Sequence, residues 1–200
     1  MSIHTVFKIN DQQDITIKNL CFEANHIYRY DPIEIVFNDH QKEYILFQHD
    51  YLMPQVETFY YYLRDAIEGK LPLSEPAELG LGFLWNQDLY NTNMKSPDAL
   101  KDEPVWEGTR YLMWGGNLFS AWLYNINELI FLEISPTYPW HFREVNEEEF
   151  TSYQEWIKNY KALCVISIDK KVAQQWLQKL ETLMKEIELN DAKYLHKEQN

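Results

Sequence analysis

The chain has 200 residues, 46% of them apolar, and a formal net charge of −13. This length allows one sizeable core, so we expect a single domain over residues 1–190 and a frayed tail over residues 191–200. The negative charge argues against direct binding of nucleic acids or anionic membranes, because both repel an acidic surface.

The sequence lacks the signals of a membrane or secreted protein. No apolar run is long enough to span a bilayer, and the N-terminal residues lack the basic start and apolar centre of a signal peptide. We therefore expect a cytoplasmic protein. Cys21 and Cys164 are far apart in sequence and outside any C-x-x-C pair, which predicts two reduced thiols rather than a zinc or redox site.

The first quarter of the chain consists of short β-branched or aromatic runs separated by Asn, Asp and Pro. These runs predict antiparallel strands, because the connections are too short for parallel crossovers. The predicted strands are residues 3–9, 15–22, 26–30, 33–37 and 44–47.

A helical pattern follows Pro54. Apolar residues recur at steps of three and four, and Gly69 ends the pattern, which predicts an amphipathic helix over residues 55–68. Three consecutive tyrosines, residues 60–62, wrap around this helix, and we expect Tyr61 to be the exposed one. Residues 70–103 are rich in Pro and Gly, which predicts an irregular connection containing a short strand at residues 81–85.

A β-hairpin is the strongest pattern in the second half of the chain. Strand character resumes over residues 105–114, and Gly115 and Gly116 turn the chain into two apolar runs, residues 118–124 and 129–134. Asn tolerates the positive φ of tight turns, so residues 125–128 are predicted to join the two strands. The acidic residue inside the second run, Glu133, is expected on a partly wet face. Inside the core it would need a partner such as Arg110 or Arg143.

The final third is predicted to be mostly helical. Asn146 can cap a helix that begins at residues 147–149, where acids favour the positive end of the helix dipole. Residues 162–168 are too short and too β-branched for a helix and predict one more strand. Asp169 then caps a long amphipathic helix. The fold class is therefore α+β, with mostly antiparallel sheet, one mid-chain helix and two C-terminal helices packed on it.

No stretch of the sequence identifies a catalytic, cofactor or metal site. His141 and Glu144 form a single H-x-x-E pair, without the repeated ligand pairs that metal sites use. The Gly80-Leu81-Gly82 motif lacks the third glycine and the helix signal of a phosphate-binding loop. We therefore predict no catalytic residues, cofactor or metal.

The best candidate for a binding site is the segment of residues 96–106. It combines Asp98, Asp102 and Glu103 with the aromatic Trp106. Acids around an exposed ring suit a basic partner, since charge steers the encounter and the ring supplies binding energy. We predict that these four residues, together with Tyr61, contact a partner protein. The alternative is a solvated loop followed by a core tryptophan.

Three segments in the second half carry a family resemblance. They are the turn Trp114-Gly115-Gly116, the segment AWLYNINELIFLEISPTYPW and the segment VAQQWLQKLETLMKEI. With the size and acidity of the chain, they resemble bacterial immunity proteins that accompany polymorphic or contact-dependent toxins. The resemblance covers residues 106–189. It implies a non-enzymatic binding protein that neutralises a cognate toxin, often a nuclease, and it implies no catalytic residues.

Three functions are therefore weighed. The first is an immunity protein, expected to be a monomer, that binds a basic toxin domain. The second is a small enzyme with a pocket near Glu133 and His141, which requires a strongly shifted pKa at the base of a cleft. The third is a regulatory interaction module that uses its aromatic surface.

Overall fold

A computed structural model describes residues 4–21, 27–40, 42–73, 78–93, 107–141 and 148–198 of the chain. Within these residues the fold consists of two antiparallel four-stranded sheets and four α-helices. The predicted α+β class with antiparallel sheets is thus confirmed. The division into one domain and a tail stays a prediction.

Sheet 1 is built from the N-terminal strands in sequential order. Its strands are β1 His4–Lys8, β2 Gln13–Asn19, β3 Pro32–Asp39 and β4 Lys42–Asp50. The strand predicted at residues 26–30 was wrong, because residues 27–30 form a loop and turn. The buried Asp31 carboxylate organises this turn by accepting hydrogen bonds from the Tyr28 backbone N–H at 2.9 Å and the Asn19 amide at 2.8 Å.

Sheet 2 contains the predicted hairpin. Its strands, in spatial order, are β5 Leu112–Gly115, β6 Phe119–Ile126, β7 Leu129–Pro136 and β8 Cys164–Ile168. The turn between β6 and β7 is only two residues long, and Asn127 and Glu128 both have positive φ, 48° and 68°. Positive φ at both central residues matches the twist of a hairpin. Asn125, predicted in the turn, instead lies buried in β6.

The four α-helices include one that the sequence did not predict. They are α1 Leu52–Ile67, α2 Leu81–Asn93, α3 Tyr153–Lys158 and α4 Lys170–Glu198. The strand predicted at residues 81–85 was wrong, since these residues begin α2. Leu81 and Trp85 are buried and Leu89 is half-buried, at the four-residue spacing of one helix face. The strand predicted from residue 105 starts only at Leu112, after a 3-10 helix over Glu107–Tyr111.

The two C-terminal helices begin at different kinds of cap. The prediction that α3 begins at residues 147–149 was wrong, because residues 148 and 149 lie in a turn. Ser152 caps α3 by accepting a hydrogen bond from the Glu155 N–H at 3.3 Å. Asn146 lies outside the described residues. Asp169 caps α4 as predicted, by accepting from the Lys171 N–H at 2.7 Å. Helix α4 runs to Glu198, beyond the predicted domain end at residue 190.

The core is centred on Phe59 of α1, which contacts both sheets and α4. The Phe59 ring lies 5.0 Å from Phe7 of β1, 4.9 Å from Trp114 of β5 and 6.0 Å from Trp176 of α4, in edge-to-face geometry. Helix α4 also covers the edge of sheet 1. The Trp176 indole donates to the Lys8 carbonyl of β1 at 3.2 Å and the Lys179 ammonium donates to the Val6 carbonyl at 3.0 Å, so side chains of α4 satisfy two carbonyls of this edge strand.

We expect Phe59→Ala to lower the free energy of unfolding by about 3–5 kcal/mol, because it leaves a cavity among three large rings. Tyr61→Ala, two residues away on the same helix, is the control and should cost well under half as much, because the Tyr61 ring is 47% exposed. Urea denaturation of both variants gives the comparison. Equal losses would contradict the central position of Phe59.

Candidate functional site

The most distinctive polar site in the interior is the Glu133 carboxylate, which is 0% exposed. Glu133 lies on β7 and faces the first turn of α2. Its Oε2 accepts a hydrogen bond from the Leu81 backbone N–H at 2.8 Å, and its Oε1 accepts from the Gly82 N–H at 2.8 Å. The carboxylate thus satisfies N–H groups that a helix start leaves without intrahelical partners, and its charge is favourable at the positive end of the helix dipole.

Side chains from sheet 2 complete the shell around this carboxylate. The Ser135 hydroxyl donates to Oε1 at 2.8 Å, and the Tyr124 hydroxyl lies 3.4 Å from Oε2. Burial and the nearby Glu133 charge raise the pKa of Tyr124. Burial also raises the pKa of Tyr160, whose hydroxyl lies beside Ser135 and Gly82. Both phenols therefore stay protonated and neutral around the carboxylate.

Two glycines make room for the carboxylate at the start of α2. Gly80 has a φ of +88°, and a Cβ at this residue would lie 2.6 Å from Glu133 Oε1. A Cβ at Gly82 would lie 2.4 Å from the Ser135 Cβ and 2.5 Å from the Tyr160 hydroxyl. The Gly80-Leu81-Gly82 motif therefore forms the N-terminus of a helix that binds an anion, and that anion is the Glu133 carboxylate of the same chain.

The prediction for Glu133 was wrong. The residue does not lie on a wet face, because α2 covers that side of sheet 2. Its partners are backbone N–H groups rather than an arginine. Arg110 instead donates to the Lys70 carbonyl at 2.9 Å, and Arg143 lies outside the described residues. The sequence does show an acid inside an apolar strand, which is the signal for Glu133. Its hydrogen-bond partners, the N–H groups of Leu81 and Gly82, were not predicted because helix α2 was not predicted.

A cavity of about 510 Å³ lies beside this shell. Its lining includes Gly80, Tyr124, Phe131, Tyr160 and Val165. Glu133 itself is not part of the lining, and both its oxygens already accept two hydrogen bonds each within the protein. A carboxylate with these four hydrogen bonds fixes α2 to the sheet.

A second attachment of α2 lies one turn further along. The buried Asn86 amide donates to the Pro136 carbonyl at 3.0 Å and accepts from the Tyr138 N–H at 2.7 Å. His141 packs nearby, with its ring centroid 6.0 Å from Trp85 and 5.2 Å from Tyr138. Burial lowers the pKa of His141 to about 4, with a smaller opposing contribution from a backbone hydrogen bond at Asn86. Glu133 and His141 thus contact successive turns of the same helix.

The predicted binding residues are only partly within the described chain. Asp98, Asp102, Glu103 and Trp106 lie outside it. Tyr61 is exposed, as predicted, and the Arg64 guanidinium lies 5.0 Å from the centre of its ring.

Tyr61 lines a surface groove of about 650 Å³, together with Tyr62, Asp65 and Arg110. We call this surface the Tyr61 groove. Arg110 belongs to the 3-10 helix that begins at Glu107, the residue bonded to Trp106. Tyr61 therefore lies in the same groove as Arg110, which follows the acidic segment closely in the sequence.

The remaining predictions concern metals, membranes and thiols. Among the described residues, no three His, Cys, Asp or Glu side chains converge as a metal site would require. None of the helices in the described chain has the length and apolar content to cross a bilayer. Cys21 and Cys164 are both free thiols, and burial raises the pKa of Cys164 to about 12, so this thiol is inert.

Comparison with known proteins adds no relative. No protein-family model matches the chain, and no curated protein and no solved structure matches it.

We expect Glu133→Gln to lower the free energy of unfolding by about 2–4 kcal/mol, because the new amide group places N–H donors against the N–H donors of α2. Hydrogen exchange at Leu81 and Gly82 should accelerate more than exchange in sheet 1. Glu128→Gln, in the exposed hairpin turn, removes the same charge and should change stability by less than about 0.5 kcal/mol. Unchanged exchange at the start of α2 would contradict the anchoring role.

The stability of the protein should fall as the pH drops from 6.5 towards 4, in part because of His141. Its folded-state pKa of about 4 lies below the ordinary histidine value of 6.5, so the unfolded chain binds the proton more readily. The neutral ring makes its full contribution to the free energy of unfolding above pH 6.5, and this contribution is lost as the pH falls from 6.5 towards 4. The loss should be on the order of 1–2 kcal/mol, reduced by the partial exposure of the ring.

Urea denaturation between pH 7 and pH 4.5 measures this effect. His141→Phe removes the titration, so its stability should depend less on pH than that of the original protein. Parallel pH curves for the two proteins would rule out a contribution from His141.

Proposed function

We propose that this protein is a non-enzymatic immunity protein that binds a basic toxin domain in the cytoplasm and neutralises it. The observation that carries the proposal is the Tyr61 groove. Its lining includes the exposed Tyr61, the half-buried Tyr62 and Arg110, which follows the acidic segment of residues 96–106 by four residues in the sequence. Tyrosine and arginine are the residues that most often dominate binding energy in protein interfaces.

The composition of the groove suits a protein partner. Tyr61, Tyr62 and Arg110 supply rings and a guanidinium that can stack or form hydrogen bonds, and Asp65 adds a carboxylate. The net charge of −13 attracts a basic partner from a distance and speeds the encounter.

The enzyme alternative receives less support from the interior of the protein. Glu133, the strongest candidate for a catalytic acid or base, is fully enclosed and hydrogen-bonded to the start of α2. The shifted pKa of His141 follows from its position among aromatic rings rather than from a charged partner. Both residues support structure, which leaves the surface as the place for function.

A growth assay tests the proposal. The C-terminal region encoded by the open reading frame immediately upstream would be expressed inducibly, with and without this protein. We expect arrest of growth that co-expression relieves. Changing Asp98, Asp102 and Glu103 to Lys should abolish the relief, because the charges then repel a basic toxin.

The matched control changes three exposed acids elsewhere, Asp11, Glu128 and Glu186, to Lys. This variant has the same net charge and should still relieve the arrest. Association of the purified pair should slow steeply as salt is raised, since the attraction between the two proteins is screened. Toxicity that this protein fails to relieve would refute the immunity role. Relief that survives the triple change at residues 98–103 would refute this location of the interface.

A further inference from the structure

Three exposed rings, those of His49, Tyr51 and Tyr30, lie next to the half-buried Phe47 at the end of sheet 1, away from the Tyr61 groove. Phe47 and His49 lie on β4, and Tyr51 follows the strand; residues two apart point to the same side of a strand. The His49 and Tyr51 rings stack at 5.2 Å, and Tyr30 meets Tyr51 edge-to-face at 6.0 Å. Tyr30 is 65% exposed and Tyr51 is 46% exposed, so both rings are accessible from solvent.

These rings lead into a concave surface between the turn before β3 and helix α4. A groove of about 790 Å³ is lined by Tyr28, Arg29, Tyr30 and Asp31 on one side and by Glu188 and Asp191 on the other. The position of α4 against the turn is fixed by the Asn190 amide, which donates to the Ile27 carbonyl at 3.1 Å. The groove is therefore built between two elements that are hydrogen-bonded to each other.

The charges in this groove are mostly negative. Three carboxylates, from Asp31, Glu188 and Asp191, face a single guanidinium from Arg29. The Asp31 carboxylate is occupied inside the turn, and Arg29 is paired with Asp191 at 3.4 Å. Within the described part of the chain, Glu188 has no ion-pair partner.

We propose that this surface, formed by Tyr30, Tyr51, His49, Glu188 and Asp191, binds a basic segment of a partner protein through one or more arginine side chains. A guanidinium stacks on tyrosine faces and forms hydrogen bonds with carboxylates. The Tyr30 ring and the Glu188 carboxylate both line the groove, and the Tyr51 ring adjoins Tyr30 outside it. A lysine or an acidic segment fits less well, since lysine does not stack in the same way and acids are repelled.

The proposal goes beyond the proposed function, because it concerns a different part of the surface and stands independently of the immunity role. The Tyr61 groove lies at the C-terminal end of α1, whereas Tyr51 immediately precedes its N-terminal end. Tyr51 and Tyr61 are ten residues apart along this helix, so these two rings are separated by about 15 Å along its axis. Each surface can therefore be changed without touching the other.

The test uses an octa-arginine peptide, which requires no knowledge of the toxin. The isotope-labelled full chain would be titrated with the peptide at low salt, and amide chemical shifts would be followed by NMR. The largest changes are expected at Tyr30, Tyr51, Glu188 and Asp191. Octa-lysine should bind more weakly than octa-arginine at the same salt concentration, because its contribution is charge alone.

Two variants separate aromatic recognition from general attraction by an acidic protein. The double variant Tyr30→Ala with Tyr51→Ala keeps the net charge and should weaken octa-arginine binding by about tenfold. Phe150→Ala is the matched control, since Phe150 is an exposed ring of similar exposure, 48%, outside the groove. It should leave the affinity within about twofold. Circular dichroism would verify that both variants are folded.

The possible outcomes are distinct from those of the growth assay. Shifts spread evenly over the acidic surface, shifts centred on the Tyr61 groove, or equal affinities of the double variant and the original protein would each overturn the proposed arginine site. None of these results would affect the immunity role. Conversely, an arginine site that behaves as expected stands even where the upstream reading frame encodes no toxin.

Discussion

The structure depends on one buried pairing, between the Glu133 carboxylate and the first N–H groups of α2. Each partner alone would be costly inside the protein: an unpaired carboxylate loses its hydration, and the start of a helix leaves N–H groups without acceptors. At 2.8 Å from both Leu81 and Gly82, the carboxylate satisfies both requirements at once. The pairing places α2 on sheet 2, and the aromatic layer of the second half is assembled on that helix.

The aromatic layer follows from the position of α2. Trp85 packs against Trp122 of β6, Phe83 against Tyr160, and Tyr90 stacks on Tyr153 at 4.1 Å. These contacts connect α2 to sheet 2 on one side and to α3 on the other. Because the layer buries Tyr153 and partly buries His141, it raises the pKa of Tyr153 to about 12 and lowers that of His141. The same burial that stabilises the layer therefore makes it sensitive to acid.

Patterns over a few neighbouring residues predict the helices and strands whose structure is determined by those same residues. The β6–β7 hairpin has alternating residues and a turn with tolerant φ, and α1 and α4 have long apolar stripes, so all three are readable. Helix α2 has only a short stripe, Leu81, Trp85 and Leu89, and Phe83 and Asn86 beside it contact other elements. Its anchor, Glu133, lies 51 residues beyond Gly82 in the chain. The sequence shows one side of this pairing, an acid inside an apolar strand. It does not show which distant residues donate the hydrogen bonds to that acid.

The use of Glu133 as an internal anchor also shapes what the rest of the molecule can do. A carboxylate that holds a helix in place cannot be released for chemistry without loosening the layer built upon it. The surface is under no such constraint. Near both ends of α1, tyrosines remain exposed beside carboxylates. In an acidic protein, long-range charge attracts any basic partner, whereas the arrangement of rings at short range decides which partner stays. The two tyrosine surfaces are thus the part of this fold where selectivity can reside.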